Sequence, residues 1–288
     1  SAAVAAAEPA SFSSLGAGLT SMVLYTSNAS FGGEARLDVE ALRDRGTVLL
    51  DGQLQGTVSA WSPATTTRSD QGRAAAELID QLATPFDPPG SVSLRPESAA
   101  SSSHRIDILV ENLGRPCDSG SLRFGLTVGW RGCRNVSLEA SGADVPLGPW
   151  SAEVIDFASL AQRNASWKDG LKDLVSDGWS PSLYEGALTI TAGPTASAGS
   201  FLRIDGAWGG GMAAVNGWVL GRFEQASAQR TLYVPRTVLR SGTNAVLLLE
   251  SSPSADGLKG SASATVRFVD AADLGPSIPL KGDDSLAA

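Results

Sequence analysis

Along most of this chain, apolar and polar positions alternate with period two over short runs, and each run closes on a turn residue. That period is the mark of a strand with one face buried. Arg105 to Asn112 shows it cleanly: Ile106, Ile108 and Val110 fall on one face, Asp107 and Glu111 on the other. Ser21 to Ser27, Arg36 to Leu42, Thr47 to Leu50 and Gln53 to Trp61 read as further strands. So do Asn135 to Leu147, Trp150 to Phe157, Leu183 to Thr191, Ser200 to Ile204 and Gly211 to Val215. Trp218 to Phe223, Arg230 to Val234, Ala245 to Leu249 and Ser263 to Phe268 complete the set. Asn216-Gly217 and Asp51-Gly52 sit between apolar runs, which is the strongest short-range signal for a two-residue hairpin turn.

Helical spacing is confined to two places. Ala74, Leu78, Ile79 and Leu82 share one face within Gln71 to Leu82, and Pro85, Pro88 and Pro89 close that segment. Ser166 precedes a stripe of Trp167, Leu171, Leu174 and Val175 and reads as its cap. The Ala/Ser/Gly-rich residues 1–18 read as a linker or arm. A first domain is expected over 19–148, a second over 149–272 after Gly148-Pro149, and a fraying tail over 273–288. Asp51 and Asn216 lie 165 positions apart, and the residues around them echo one another loosely, as two units of one sandwich architecture would. The fold class expected is therefore all-β: two tandem jelly-roll or similar β-sandwich domains, with short helices in connections.

Composition agrees and narrows the partners. The chain has 288 residues, 42% hydrophobic, with 32 Gly and 15 Pro, room for two domains with buried cores and many turns. A net charge of −8 speaks against sequence-independent nucleic-acid binding and against docking on anionic lipid. No apolar run has the length of a membrane-spanning helix. The start at Ser1 reads as a processing point or a domain cut.

Cys117 and Cys133 are the two cysteines, 16 positions apart, and His104 is the single histidine. A His-Cys metal cluster of ordinary spacing is thereby excluded, and no metal or cofactor is expected. The cysteines are either two buried thiols or a disulfide closing a turn-rich loop, worth roughly 3 kcal/mol on a loop-entropy model. The sequons at Asn28, Asn135 and Asn164 favour the disulfide, and with it a secreted, extracellular, lysosomal or vacuolar setting.

Trp208, Trp218, Trp179 and Trp130 are candidates for stacking on a sugar ring, against the ordinary use of Trp as core filling. Trp208 and Trp218 rank first because they flank the Asn216-Gly217 hairpin, and Arg222 follows on the same strand. Glu111 is read as pairing with Arg43 or Arg45 across strands and His104 as a solvated loop residue.

The hairpin stretch also carries a resemblance. Val215 to Phe223 (VNGWVLGRF) and Gln229 to Pro235 (QRTLYVP) resemble the V-N-G-x-x-L-G-R-Y-W and Q-x-T-L-Y-V-P signatures of glycoside hydrolase family 35, the lysosomal-type β-galactosidases. Asp107 to Arg115 (DILVENLGR) is similar to D-I-L-V-E-N-x-G-R, and Arg43 to Gly56 (RDRGTVLLDGQLQG) to R-D-R-x-x-V-x-V-D-G-x-x-x-G. Pro181 to Ile190 (PSLYEGALTI) and Phe12 to Tyr25 (FSSLGAGLTSMVLY) resemble two more segments, in the family's order. The resemblance implies the C-terminal β-domains of such an enzyme, the second galactose-binding-like. The family's catalytic TIM barrel would precede them. It implies a barrel-bearing chain or domain as partner, hydrolysis of terminal β-galactosides by that barrel, and contact with galactosides or glycans.

A retaining mechanism needs two carboxyl groups about 5 Å apart; the family's two have no counterpart here, so no catalytic residue is assigned. The chain departs from the pattern at Thr26-Ser27, Pro116-Cys117 and Phe223-Glu224. Those departures keep open a second reading, a barrel-less paralogue serving as a lectin-like or structural surface protein.

Overall fold

A computed structural model describes residues 6–42, 44–59, 90–97, 103–113, 131–163, 181–190, 199–206, 208–224, 229–252 and 264–275. The helices expected over 71–82 and after Ser166 lie outside these residues, as do Trp130, Trp179, Cys117, Asn164 and Arg43. The chain divides into two compact units, the first ending at Ala158 and the second starting at Ser159 among the described residues.

The first unit is a sandwich of two antiparallel sheets. One holds, in spatial order, β4 (Gln53–Ser59), β3 (Arg45–Leu50), β6 (Ser103–Glu111), β1 (Ser21–Ser30) and β9 (Ser151–Asp156). The other holds β5 (Gly90–Leu94), β2 (Ala35–Leu42), β7 (Cys133–Ala140) and β8 (Ala143–Asp144). The inward rows interdigitate: Val23, Tyr25, Ile106 and Ile108 from one sheet meet Leu37, Val39, Val92 and Leu138 from the other.

Residues 6–18 are not a free arm. Ala6 bridges Trp150, and Ser11 caps a single turn, α1 (Phe12–Leu15), which drives Phe12 into the core at 2% exposure. The Ala10 carbonyl accepts from the Tyr25 hydroxyl at 2.7 Å. One buried aromatic ring outweighs the mobility suggested by the Ala/Ser/Gly surroundings.

A short helix, α2 (Phe157–Arg163), follows β9. The second unit repeats the plan. One sheet runs β10 (Ser182–Ile190), β15 (Gly242–Ser252), β12 (Gly210–Val215), β13 (Trp218–Glu224); the other runs β14 (Thr231–Val234), β11 (Ser200–Asp205), β16 (Thr265–Val269). Leu202, Ile204, Ala213, Val215, Phe223, Leu232, Val246 and Leu248 fill the space between them. Read from the hairpin edge, β4-β3-β6-β1 and β13-β12-β15-β10 are the same order of strands.

The correspondence extends to single residues. Asp51 and Gly52 have φ of 51° and 85°, Asn216 and Gly217 have 49° and 83°, so both hairpins close on type I′ turns. Each hairpin carries a β-bulge, between Val48 and Leu49 in the first and between Ala213 and Ala214 in the second. Those bulges are again 165 positions apart. In each unit the turn side chain then clamps the next strand. Asp51 Oδ1 accepts from the Arg105 backbone N–H at 2.8 Å, and Asn216 Oδ1 accepts from that of Ala245 at 2.9 Å. Asp51 Oδ2 also accepts from Nδ1 of His104 at 2.7 Å, while Asn216 Nδ2 donates to Asn244 Oδ1 at 2.8 Å.

His104 is therefore a core residue and not a solvated loop. It is 2% exposed on β6, with its ring tilted against Phe31 at 4.7 Å. Its Nε2 is buried and without a hydrogen-bond partner among the described residues. Glu111 pairs with Arg45, NH2 to Oε2 at 2.7 Å, between adjacent strands.

The residues after Asp270 are likewise held as far as Gly275. Asp273 Oδ2 accepts from Arg203 at 2.7 Å, and its backbone N–H donates to Thr231 Oγ1 at 2.8 Å.

Candidate functional site

The site grows from the loop that leads into β12. Gly209 donates its backbone N–H to Oε1 of Glu250 at 2.7 Å, and Glu250 is fully buried on β15. This bond fixes the chain where Trp208 leaves it. The indole then packs edge-to-face on Tyr184 (centroids 4.9 Å, 85°) and on Phe223 (6.2 Å, 77°), an arrangement aromatic quadrupoles favour. The Tyr184 hydroxyl approaches Glu250 Oε2 at 3.5 Å. Burial first, and then the Glu250 carboxylate, raise its pKa above the ordinary tyrosine value. Tyr184 thus keeps its proton and serves as a donor toward that carboxylate.

Trp208 borders a pocket of about 190 Å³. Arg222, Phe223 and Glu224 of β13, Gln229 and Arg230 before β14, and Ile204, Thr231 and Leu232 line it with Trp208. Gly210 has a local role here: a Cβ on it would come within 2.6 Å of Glu224 Oε2, so its bare backbone lets that carboxylate lie across it. The pocket is smaller than the roughly 300–1,000 Å³ of a drug-sized site, which limits an occupant to about one small ring.

One atom of the lining residues stands out. Nε1 of Trp208 is buried and has no hydrogen-bond partner among the described residues. A buried N–H donor without an acceptor costs on the order of 1–3 kcal/mol. An oxygen-rich ligand would relieve that. The surroundings suit the same chemistry, with guanidinium and amide donors, one carboxylate acceptor and an aromatic wall.

Of the residues singled out from sequence, the structure brings Trp208 and Arg222 together in this pocket. Trp218 is apart from them. It opens β13 at the turn end, 58% exposed, four residues and so roughly 13 Å of strand from Arg222. Glu224, Gln229 and Arg230 were not singled out as binding residues. Gln229 and Arg230 lead the QRTLYVP motif, and that motif was the available signal.

Cys133 is a free thiol at zero exposure in the first core; Cys117, its expected disulfide partner, lies outside the described residues. Burial raises the Cys133 pKa far above the ordinary thiol value. Asn28 and Asn135 are exposed, Asn28 on β1 and Asn135 with φ of 52° on β7.

Comparison with known proteins places these residues in context. Residues 181–244 match the model of the β-galactosidase galactose-binding domain. They contain Trp208, Trp218, Arg222 and Glu224. The chain is 24% identical over 236 residues to beta-galactosidase 1 of Dictyostelium discoideum, covering 81% of this chain and 31% of that protein. It is 34% identical over 79 residues to human beta-galactosidase-1-like protein 2, covering 27% of this chain and 12% of that protein. The chain thus spans at most about a third of the length of these relatives. Among solved structures, the apo lectin of Pleurotus ostreatus aligns over 88% of this chain and 77% of its own, at 11% identity and a TM-score of 0.25, which carries no argument. The motif resemblance is borne out on sequence: over most of its length the chain is similar to β-galactosidases, and the pocket at Trp208 lies within the part that matches their galactose-binding domain.

Proposed function

We propose that this chain is a non-catalytic, carbohydrate-binding part of a family 35 β-galactosidase-like glycoside hydrolase. In this reading the pocket at Trp208 takes one sugar ring. A separate TIM barrel, as a domain or a chain, hydrolyses terminal β-galactosides while these sandwiches support it. The carrying observation is the buried, unpartnered Trp208 N–H in a pocket lined by Arg222, Glu224 and Arg230, inside residues that match a galactose-binding model. A hydroxyl or ring oxygen of galactose supplies the missing acceptor, and the vicinal hydroxyls suit a guanidinium and a carboxylate. The exposed sequons at Asn28 and Asn135 fit a secretory or lysosomal route for the whole protein.

The test is a galactose titration of the chain followed by tryptophan fluorescence, with Trp208→Phe beside it. The ring of Phe retains much of the packing on Tyr184 and Phe223 but lacks the N–H. Saturable binding that weakens roughly five- to tenfold in Trp208→Phe is expected, the size of one hydrogen bond. No binding by the parent chain, or identical binding by the variant, overturns the assignment.

A further inference from the structure

We infer that the outer face of the three-stranded sheet β14-β11-β16 is a second carbohydrate contact, independent of the pocket and shaped for an extended sugar chain. Leu202, Ile204 and Leu232 point inward from this sheet, so their neighbours Phe201, Arg203, Asp205 and Tyr233 point out.

Tyr233 is 54% exposed, yet its ring is held. Phe201 lies against it at 5.5 Å and 60°. The ring also lies against Gly199, where a Cβ would come within 2.5 Å of ring atom Cε2 and 2.6 Å of the hydroxyl. A scattered surface aromatic requires no explanation. This ring differs, because it lies over bare backbone at Gly199, where a Cβ would also come within 2.5 Å of the Val234 carbonyl oxygen. Its hydroxyl has no hydrogen-bond partner among the described residues.

Beside the rings runs a row of planar charged groups. Asp205 Oδ2 accepts from Arg203 at 2.7 Å and lies 3.3 Å from the Arg267 guanidinium in an ion pair, and Asp273 Oδ2 accepts from Arg203 at 2.7 Å. Arg267 is 61% exposed and keeps donors toward solvent. The ion pairs with Asp205 and Asp273 hold the Arg203 guanidinium before any ligand arrives.

A sugar ring has a C–H face and a hydroxyl edge. The C–H face of one sugar packs on Tyr233, and the hydroxyl edge of a neighbouring sugar meets Arg267 and Asp205. From Tyr233 across β11 to Arg267 is two strand spacings and two residues, roughly 12 Å, longer than one sugar ring. Tyr233 and Arg267 are both more than half exposed, so the span suits a polymer and not an enclosed monosaccharide.

The test is affinity electrophoresis of the whole chain through gels containing soluble β-galactan, with the galactose titration run in parallel. Tyr233→Ala is expected to weaken retardation roughly tenfold and to leave galactose binding unchanged, while Tyr233→Phe keeps most of the retardation. Absence of retardation in the parent chain, or equal retardation in Tyr233→Ala, overturns the inference. So does a Tyr233→Ala variant that loses galactose binding in the same proportion. Retardation that depends on Tyr233 in a chain that fails to bind galactose sinks the pocket assignment and leaves this one standing.

Discussion

Glu250 holds Gly209. The 2.7 Å bond from the Gly209 N–H to a fully buried carboxylate sets the path of the loop that carries Trp208. Glu250→Ala leaves that N–H without this acceptor inside the second unit. A loss of about 1–3 kcal/mol is expected, read as a lower denaturation midpoint at unchanged slope. Galactose binding should fall with it, because the indole is no longer positioned. A variant as stable as the parent would show that the bond does not anchor the loop.

The Arg45–Glu111 pair makes the opposite contrast, stability without binding. Glu111 has 3% of its side chain exposed and Arg45 has 18%, so removing either partner strands a buried charge. Glu111→Ala should destabilise the first unit by roughly 3–5 kcal/mol while the galactose titration is unaffected. Replacing both by Met and Leu should recover much of the loss. Weaker sugar binding at unchanged melting temperature would contradict this assignment.

Asp51 supplies a pH dependence confined to one unit. Desolvation pushes its carboxyl up, but the hydrogen bond from His104, the Arg105 N–H and the attraction of the imidazole together carry it below the ordinary value. A carboxyl lowered in the fold stabilises above its unfolded pKa, roughly 3.9, and that contribution is lost as pH falls through the folded value. The same position in the second unit is Asn216, with Asn244 where His104 would be, and neither titrates. Acid unfolding followed by residue-resolved hydrogen exchange should therefore show this loss at Asp51 and no counterpart at Asn216. Asp51→Asn should flatten the acid limb in the first unit; an unchanged limb would remove Asp51 as its source.

Gly211 tests the packing of the second unit directly. A Cβ there would lie 1.8 Å from the Leu249 carbonyl oxygen, a backbone atom that cannot rotate away. Gly211→Ala should cost about 3 kcal/mol or more. Gly186, also in a strand and with nothing within 4 Å of such a Cβ, is the control. Gly186→Ala should fall within roughly 0.5 kcal/mol of the parent in urea unfolding.

What could be read ahead of the structure follows from the range of each signal. The two hairpins were legible because Asp51-Gly52 and Asn216-Gly217 state their turn type locally. Clean alternation places β6, and the charges beside it offer Arg43 or Arg45 as partners for Glu111, of which the structure shows Arg45. His104 was misread because its neighbour Asp51 is distant along the chain, and no local pattern joins them. Phe12 was overlooked within a low-complexity stretch, where one large apolar residue is a weak periodic signal. In the site, Trp208 and Arg222 were visible as residue types on a motif. Their separation from Trp218 depends on strand length and on the β12–β13 bulge. Glu224 was noticed only as a departure from a pattern. Its position across Gly210 needs cross-strand register, which a sequence does not print.

The bulges at Val48/Leu49 and Ala213/Ala214 bear on how copies of this chain behave at high concentration. Each lies in a hairpin whose outer strand, β4 or β13, ends its sheet among the described residues. A straight edge of that kind is a template for strand-on-strand growth, and a bulge twists the edge out of register with any incoming strand. Both halves of the chain thus carry a guard against edge-to-edge polymerisation, in the second within the hairpin whose strand β13 lines the pocket at Trp208.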